Sequence, residues 1–215
     1  MFYELIDTGG SRSFASAHAL FDKAEKTGEV VVIIGENVPK ALQSLDARES
    51  RVAILVELGT EPLGVHTGES RGAEGSNVLG FARFRLGSAE PTALVEVVRQ
   101  PRTSEAALAA AKEIFEAAGL QVAVCGDFDG RILDRLVRPY YNAALRRLDE
   151  GLASAEDLDT TLRLGLGYPE GPISLLGRTG LEHHYDVTQA LFEALGDPAY
   201  APARRARVAK ARAKK

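Results

Sequence analysis

The 215-residue chain is 45% hydrophobic and 26% charged, which is ordinary for a globular protein of one large domain or two small ones. Its single cysteine, Cys125, excludes an internal disulfide and a cysteine-rich metal site, and no apolar run approaches the roughly 20 residues of a membrane-spanning helix. The first ten residues lack a basic stretch followed by an apolar one, so we expect a cytoplasmic protein without a signal peptide.

The formal net charge of −4 is unevenly distributed. The last twelve residues carry seven bases and no acid, which leaves 19 bases against 30 acids in the rest of the chain. A basic segment can bind nucleic acid or an acidic partner by counterion release. Because no aromatic residues are interleaved with these bases, we expect residues 203–215 to be a solvated basic tail, and we do not expect nucleic-acid binding.

The first 90 residues alternate between strand and helix patterns. The β-branched run Glu29–Ile34 suits a strand that is covered on both faces of a parallel sheet. A helix is expected from Ser11 or Ser13 to about Lys26, and Val38–Leu45 predicts a shorter one. Further strands are predicted at residues 2–7, 51–58 and 77–84, with a glycine-rich loop at 59–76. These patterns indicate a small, mostly parallel α/β layer over residues 1–92.

The second half becomes mostly helical. A last pair of strands is predicted at Val95–Val98 and Gln121–Cys125, on either side of an alanine-rich helix that ends at Gly119. Apolar residues at helical spacing predict a long helix over Arg131–Glu150. Later helices are expected after Ser154, from Pro172, and over residues 181–195. We therefore expect an α/β layer followed by an all-α domain at residues 93–202.

Several motifs in this second half occur in a characteristic order: LVEVV at 94–98, RL at 135–136, PY at 139–140, NAAL at 142–145, LGLGYPEGP at 164–172 and DPAY at 197–200. In this order and spacing they resemble the helical C-terminal domain of the 3-hydroxyacyl-CoA dehydrogenase family. The resemblance implies a Rossmann-like layer before the helical domain, a wall of an acyl-CoA cleft, a dimer contact, and NAD as cofactor.

The resemblance also implies candidate site residues. Glu96 occupies the position of the family's catalytic glutamate, which orients a histidine that acts as the base. Asp134 stands where the family has an asparagine on the long helix, and Thr60 is the only hydroxyl in the segment that matches a serine-rich one. The histidine has no counterpart, because Ala82 or Phe84 stands at its position.

Without that histidine, Glu96 is expected to form a salt bridge with Arg83 or Arg85, or to face solvent. Asp134 is expected to pair with Arg138, one helical turn later.

Cofactor and metal signals are weak. The family's first strand is followed by GxGxxG, whereas Thr8–Ser13 supplies only two adjacent glycines, so we assign no cofactor-binding residues. His66 could be a displaced base, although its glycine-rich loop favours a solvated histidine. His183 and His184 are adjacent and cannot form an i,i+4 metal pair, so no metal site is predicted.

Two functions remain open. One is a degenerate family member that keeps the fold, the dimer face and an acyl-CoA groove without full NAD-dependent catalysis. The other is an active dehydrogenase that oxidises the 3-hydroxyl of an acyl-CoA with NAD. Expected partners are acyl-CoA, a second copy of the chain through the helical domain, and a separate catalytic subunit.

Overall fold

The structure is a computed structural model that describes residues 2–68 and 76–213. Its β-strands are β1 (Tyr3–Asp7), β2 (Val30–Ile34), β3 (Ala53–Glu57), β4 (Val78–Arg83), β5 (Leu94–Arg99) and β6 (Gln121–Gly126). They form one sheet in sequence order, and every neighbouring pair is parallel except β4 and β5. The predicted mostly parallel α/β layer followed by a helical region is confirmed.

Four helices belong to the sheet unit: α1 (Ala19–Asp22), α2 (Val38–Ser44), α3 (Gly64–Thr67) and α4 (Glu105–Ala117). The helix expected from Ser11 or Ser13 to about Lys26 is wrong in extent, because α1 is a single turn capped by the His18 side chain. The preceding residues form a loop that hydrogen-bonds to the sheet. Helix α3 lies in the segment predicted to be a loop, and residues 69–75 of that segment are outside the described residues.

The buried apolar strands alternate between two cores, one on each face of the sheet. Val30, Val32 and Ile34 of β2 point to the face covered by α1 and α4, whereas Val31 and Ile33 point to the face covered by α2. Every residue of β2 and β3 is buried. Coverage of both faces explains why these strands are continuous apolar runs and not alternating ones.

At β1 the chain changes the side on which it adds the next extended segment to the sheet. On one side Glu4 pairs with Val31 of β2, and on the other side it forms an isolated parallel bridge with Glu25, just after α1. The chain thus crosses from one edge of β1 to the other before entering β2. In doubly wound α/β sheets, ligands bind beyond the carboxyl ends of the strands at such a reversal.

The helical unit consists of α5 (Leu133–Asp149), α6 (Ala155–Leu166), α7 (Pro172–Thr179), α8 (Leu181–Leu195) and α9 (Arg204–Ala213), together with residues 86–90. The sequence placed a boundary near residue 92, whereas the sheet unit extends to Ile132 because β5, α4 and β6 complete the sheet. None of the described helices is long and apolar enough to cross a bilayer.

The basic C-terminal segment was expected to be a solvated tail, and this is wrong for its described part. Residues 204–213 form α9, whose Ala206 is fully buried. Arg205 pairs with Asp149 and Lys210 with Asp186, both at 2.6 Å. Small alanines on the inner side of α9 allow it to pack in the helical unit, while its bases remain on the surface.

Candidate functional site

The loop that follows β1 covers the carboxyl ends of the parallel strands. The Thr8 hydroxyl donates to the carbonyl of Ile34 at the end of β2, at 2.8 Å. Further along, the Ser13 hydroxyl accepts a hydrogen bond from the Arg83 N–H at the end of β4, at 3.1 Å. The loop therefore crosses the edge at which open α/β sheets bind ligands.

The loop approaches β2 so closely that position 35 requires glycine. A Cβ on Gly35 would lie 2.4 Å from the carbonyl oxygen of Gly9, and the φ of Gly35 is +105°. The same Gly9 carbonyl accepts a hydrogen bond from the Glu36 N–H at 2.8 Å. The backbone of the loop therefore occupies the space next to the end of β2.

Glu57, the last residue of β3, is a buried carboxylate that joins the loop to the sheet. One of its oxygens accepts from the Ser13 N–H at 2.7 Å, and the other accepts from the Gly35 N–H at 2.8 Å. A buried carboxylate requires such donors because it has lost its hydration. Backbone N–H groups at this edge are also what hold phosphate in dinucleotide-binding folds. In this chain Glu57 already uses two of them.

The residues at this edge do not fit the pyrophosphate of a dinucleotide. In dinucleotide-binding folds the pyrophosphate sits at the N-terminus of the helix after the first strand. Here α1 is one turn long and begins only at Ala19. With the donors of Ser13 and Gly35 bound to Glu57, the crevice presents a carboxylate where a phosphate would need N–H groups.

A pocket of about 310 Å³ opens at the same edge of the sheet. Its ionisable lining residues are Arg12, Glu36, Glu57, Glu61 and His66. Three carboxylates and one arginine make this pocket acidic. The local charge therefore opposes the binding of an anionic ligand.

His66 is not the solvated loop histidine that its sequence context favoured. Its side chain is only 4% exposed, and its Nε2 lies 3.4 Å from the Glu61 carboxylate. Burial alone would raise the pKa of Glu61, but hydrogen bonds from His66 and from the Gly59 N–H lower it to about 2. Among the described residues, no partner meets the buried Nδ1 of His66.

Glu96 lies in β5 directly opposite Ala82 of β4. Its carboxylate accepts from the Ile132 N–H at 2.9 Å and lies 3.5 Å from the Arg131 guanidinium. The side chains of Glu96 and Arg131 are 3% and 5% exposed, so the pair is buried. Arg131 is a partner that sequence analysis did not consider.

Arg83 was one of the two expected partners of Glu96, and this expectation is wrong. Its strand neighbour Phe81 points to the α4 face of the sheet, and the Arg83 guanidinium lies over Phe14 on that same face. The guanidinium donates to the carbonyls of Ser13, Pro91 and Thr92. Glu96 alternates with Val95 and Val97 of that face and therefore points to the opposite one.

Thr60 lies beside the turn that carries Arg131. Its carbonyl accepts from the Gly130 N–H at 2.9 Å, and the carbonyl of Gly59 accepts from Nη2 of Arg131 at 2.8 Å. The sheet unit thus brings the backbone of Thr60 to the turn that carries Arg131, and the Arg131 guanidinium lies beside Glu96.

Asp134 belongs to the helical unit, where it pairs with Arg138 as expected. Its Oδ1 accepts from Nε of Arg138 at 2.7 Å. Both residues are buried, so removing either one would leave the charge of the other buried without its partner.

The Asp134–Arg138 pair continues into a buried polar network. Nη1 of Arg138 donates to Nδ1 of His184 at 3.1 Å, which requires that Nε2 of His184 carry the proton and donate to Asn142 at 3.0 Å. The Asn142 amide in turn donates to Thr188 at 2.8 Å. Burial, together with the Arg138 charge, lowers the pKa of His184 to about 3. His184 is therefore neutral at physiological pH.

Sequence reasoning missed Glu57 and Arg131. Glu57 ends an otherwise apolar strand, and a carboxylate at the end of a buried strand is a signal that could have been used. Arg131 carries no such signal, because its partners lie far away along the chain. No group of three or more potential metal ligands occurs within residues 2–68 and 76–213.

Residues 130–214 match the sequence model of the C-terminal domain of 3-hydroxyacyl-CoA dehydrogenase. The chain is 38% identical over 109 residues to a 3-hydroxybutyryl-CoA dehydrogenase of Bradyrhizobium diazoefficiens. The aligned region covers 51% of this chain and 37% of that relative. It is 42% identical over 89 residues to the mitochondrial hydroxyacyl-coenzyme A dehydrogenase of Homo sapiens, covering 41% of this chain and 28% of the relative. The matches thus span about a third of the length of these relatives.

The fold is similar to that of a crystal structure of (S)-3-hydroxybutyryl-CoA dehydrogenase from Ralstonia eutropha. The TM-score is 0.71 at 25% sequence identity, and the likeness covers 89% of this chain and 70% of that one. The likeness therefore includes the sheet as well as the helices.

Proposed function

Because the chain belongs to the 3-hydroxyacyl-CoA dehydrogenase family through its C-terminal helical domain, we propose that it is a degenerate member of that family. In this proposal it keeps the fold and an acyl-CoA groove but does not carry out NAD-dependent oxidation. The observation that carries the proposal is that the buried Glu96 carboxylate forms an ion pair with the guanidinium of Arg131.

The Glu96–Arg131 pair supports the loss of catalysis for a chemical reason. Oxidation of a 3-hydroxyl requires a base that accepts its proton, and a histidine held by a carboxylate suits this role. A guanidinium remains protonated at all accessible pH values and offers only donors. The residue opposite Glu96 in the neighbouring strand is Ala82, which has no proton-transferring group.

The strand-end loop supports the loss of NAD binding. Glu57 uses the N–H groups of Ser13 and Gly35, and the pocket at this edge is acidic. A pyrophosphate would have to displace a buried carboxylate and enter a site of the same charge. We therefore expect NADH to bind more weakly than about 1 mM, which corresponds to about −4 kcal/mol.

Calorimetric titration with NADH and, separately, with acetoacetyl-CoA tests this proposal. We expect saturable binding of the thioester and none of the nucleotide at micromolar concentration. The competing function is an active dehydrogenase, and an assay with 3-hydroxybutyryl-CoA and NAD should detect no turnover above background. Micromolar NADH affinity together with turnover would establish the active enzyme and refute the degenerate one.

The helical unit also supports a proposed homodimer. Its exposed apolar residues in and after α5 and α6 include Leu136, Leu164, Leu166 and Tyr168. Tyr140 packs edge-on against Tyr168 at 5.9 Å between ring centres, so these two aromatic residues are adjacent. Apolar surface of this kind is typical of a protein interface. We propose that a second copy of this chain covers the apolar surface, and a separate catalytic subunit is the alternative partner.

A further inference from the structure

The Arg131 guanidinium is incompletely satisfied for a buried group. Nη2 donates to the Gly59 carbonyl at 2.8 Å, but Nε is 3.5 Å from Glu96 and forms no hydrogen bond. Nη1 likewise has no acceptor among the residues that the structure describes. Buried donors without acceptors are rare and destabilising, so each one calls for an explanation.

The backbone at Arg131 is unfavourable as well. Its φ is +52°, a left-handed conformation that costs a non-glycine residue about 1–2 kcal/mol. Strained residues of this kind are concentrated at ligand-binding and catalytic positions. Arg131 therefore carries two independent energetic costs: buried donors without acceptors among the described residues and a left-handed backbone conformation.

The geometry also differs from that of a buried ion pair with a structural role. In the helical unit, Arg138 meets Asp134 at 2.7 Å and uses its next nitrogen on His184 at 3.1 Å. Arg131 stands 3.5 Å from Glu96, outside the 2.7–2.9 Å typical of charge-assisted hydrogen bonds, and leaves Nη1 unused. The ion pair with Glu96 therefore balances the charge of Arg131 but leaves its Nε and Nη1 donors without an acceptor in the described part of the chain.

We propose that Arg131 is a ligand-binding residue whose free N–H groups donate to a carbonyl oxygen of an acyl thioester. This inference rests on the proposed function, in which the chain binds an acyl-CoA. It also assigns a chemical class to the oxygen that is bound. Glu96 already balances the charge of Arg131, so a ligand carboxylate would leave an uncompensated negative charge in a buried site. A neutral thioester or ketone oxygen accepts the hydrogen bonds without that cost.

Calorimetric titration of the full chain with three probes tests the inference. The probes are acetoacetyl-CoA, succinyl-CoA and free CoA. The wild-type chain should bind acetoacetyl-CoA more tightly than succinyl-CoA. The test variant is the double substitution Glu96→Gln/Arg131→Met, which removes the guanidinium without leaving a buried charge. It should bind acetoacetyl-CoA at least about tenfold more weakly, the equivalent of about 1.4 kcal/mol, with its affinity for free CoA unchanged.

Arg205→Met provides a matched control, because Arg205 forms an ion pair on the surface of the helical unit. Its affinities for all three probes should equal those of the wild type. Equal affinity of the double variant and the wild type for acetoacetyl-CoA would overturn the role of Arg131 and leave the proposed function standing. A parallel loss of affinity for acetoacetyl-CoA and free CoA would overturn it too, since the effect would then be structural. If the wild type binds no acyl-CoA, the proposed function itself fails.

Discussion

The Glu96 carboxylate lies 3.5 Å from the Arg131 guanidinium, and both side chains are almost completely buried. Each charge is tolerated only because the other is present, so removing one should be much worse than removing both. We expect Glu96→Gln to lower the free energy of unfolding by about 3–5 kcal/mol. The double variant Glu96→Gln/Arg131→Met should recover more than half of that loss. Urea unfolding of the single and double variants measures both values. A double variant that is no more stable than Glu96→Gln would contradict the coupling.

Glu57 should stabilise the loop that covers the strand ends. Glutamine at this position would place an amide against the N–H groups of Ser13 and Gly35. The NH2 group of that amide is itself a donor, so one of the two N–H groups would lose its acceptor. We expect a loss of about 1–3 kcal/mol and faster hydrogen exchange at those two amides. Glu36→Gln, an exposed glutamate at the same edge, should change stability by less than about 0.5 kcal/mol. Unchanged exchange at Ser13 and Gly35 in Glu57→Gln would refute the role of the carboxylate.

His184 predicts a pH dependence of stability. Its pKa is about 3 in the folded chain against an ordinary value of 6.5, so between these values only the unfolded chain binds the proton. Stability should therefore fall as the pH is lowered from 6.5 towards 3, by about 1.4 kcal/mol per pH unit from this residue. The slope should be smaller in His184→Gln and unchanged in His183→Gln, the exposed neighbour on the same helix. Thermal or urea unfolding between pH 7 and pH 4 would show identical slopes in all three proteins if His184 were not buried and neutral.

Ala47 offers a prediction about backbone strain. It adopts φ of +53°, which glycine adopts without the steric cost of a Cβ. Ala47→Gly should therefore raise the midpoint of unfolding or leave it unchanged. Ala109→Gly, at an exposed position within α4, should lower stability by about 1 kcal/mol. Equal destabilisation by the two substitutions would show that Ala47 is not strained.

The proposed homodimer predicts an effect of surface charge on assembly. Leu136 is 67% exposed on α5, and an aspartate there would be buried without a partner if the face is an interface. Leu136→Asp should convert a dimer into a monomer in sedimentation or light-scattering experiments at micromolar concentration. Val65→Asp, equally exposed in the sheet unit, should remain dimeric. A monomeric mass for the unmodified chain would rule out the homodimer at that concentration.

Apolar periodicity and local chemistry determined much of the fold. The strands β2 and β3 and the helices α4, α5 and α8 follow from their sequence patterns, because a strand buried on both faces and an amphipathic helix have distinct spacings of apolar residues. The Asp134–Arg138 pair was also predictable, since i,i+4 residues are neighbours on any helix.

Local patterns failed where distant contacts override them. Residues 13–18 have a helical pattern, yet Ser13 donates a hydrogen bond to Glu57 and accepts two from Arg83, and these bonds hold the segment as a loop. The basic C-terminal segment has the composition of a solvated tail, yet the buried Ala206 allows it to pack as a helix. In both cases the contacts join residues that are far apart in the chain, and no local pattern encodes them.

The sequence by itself determined the family of the helical domain and the absence of a histidine opposite Glu96. Only the tertiary structure decided which groups meet the two buried carboxylates: the N–H groups of Ser13 and Gly35 at Glu57, and the guanidinium of Arg131 beside Glu96. The physical reason is that a buried charge must find its partner in space. That partner depends on which strands are neighbours and on how the loops return to them, not on the spacing of residues along the chain.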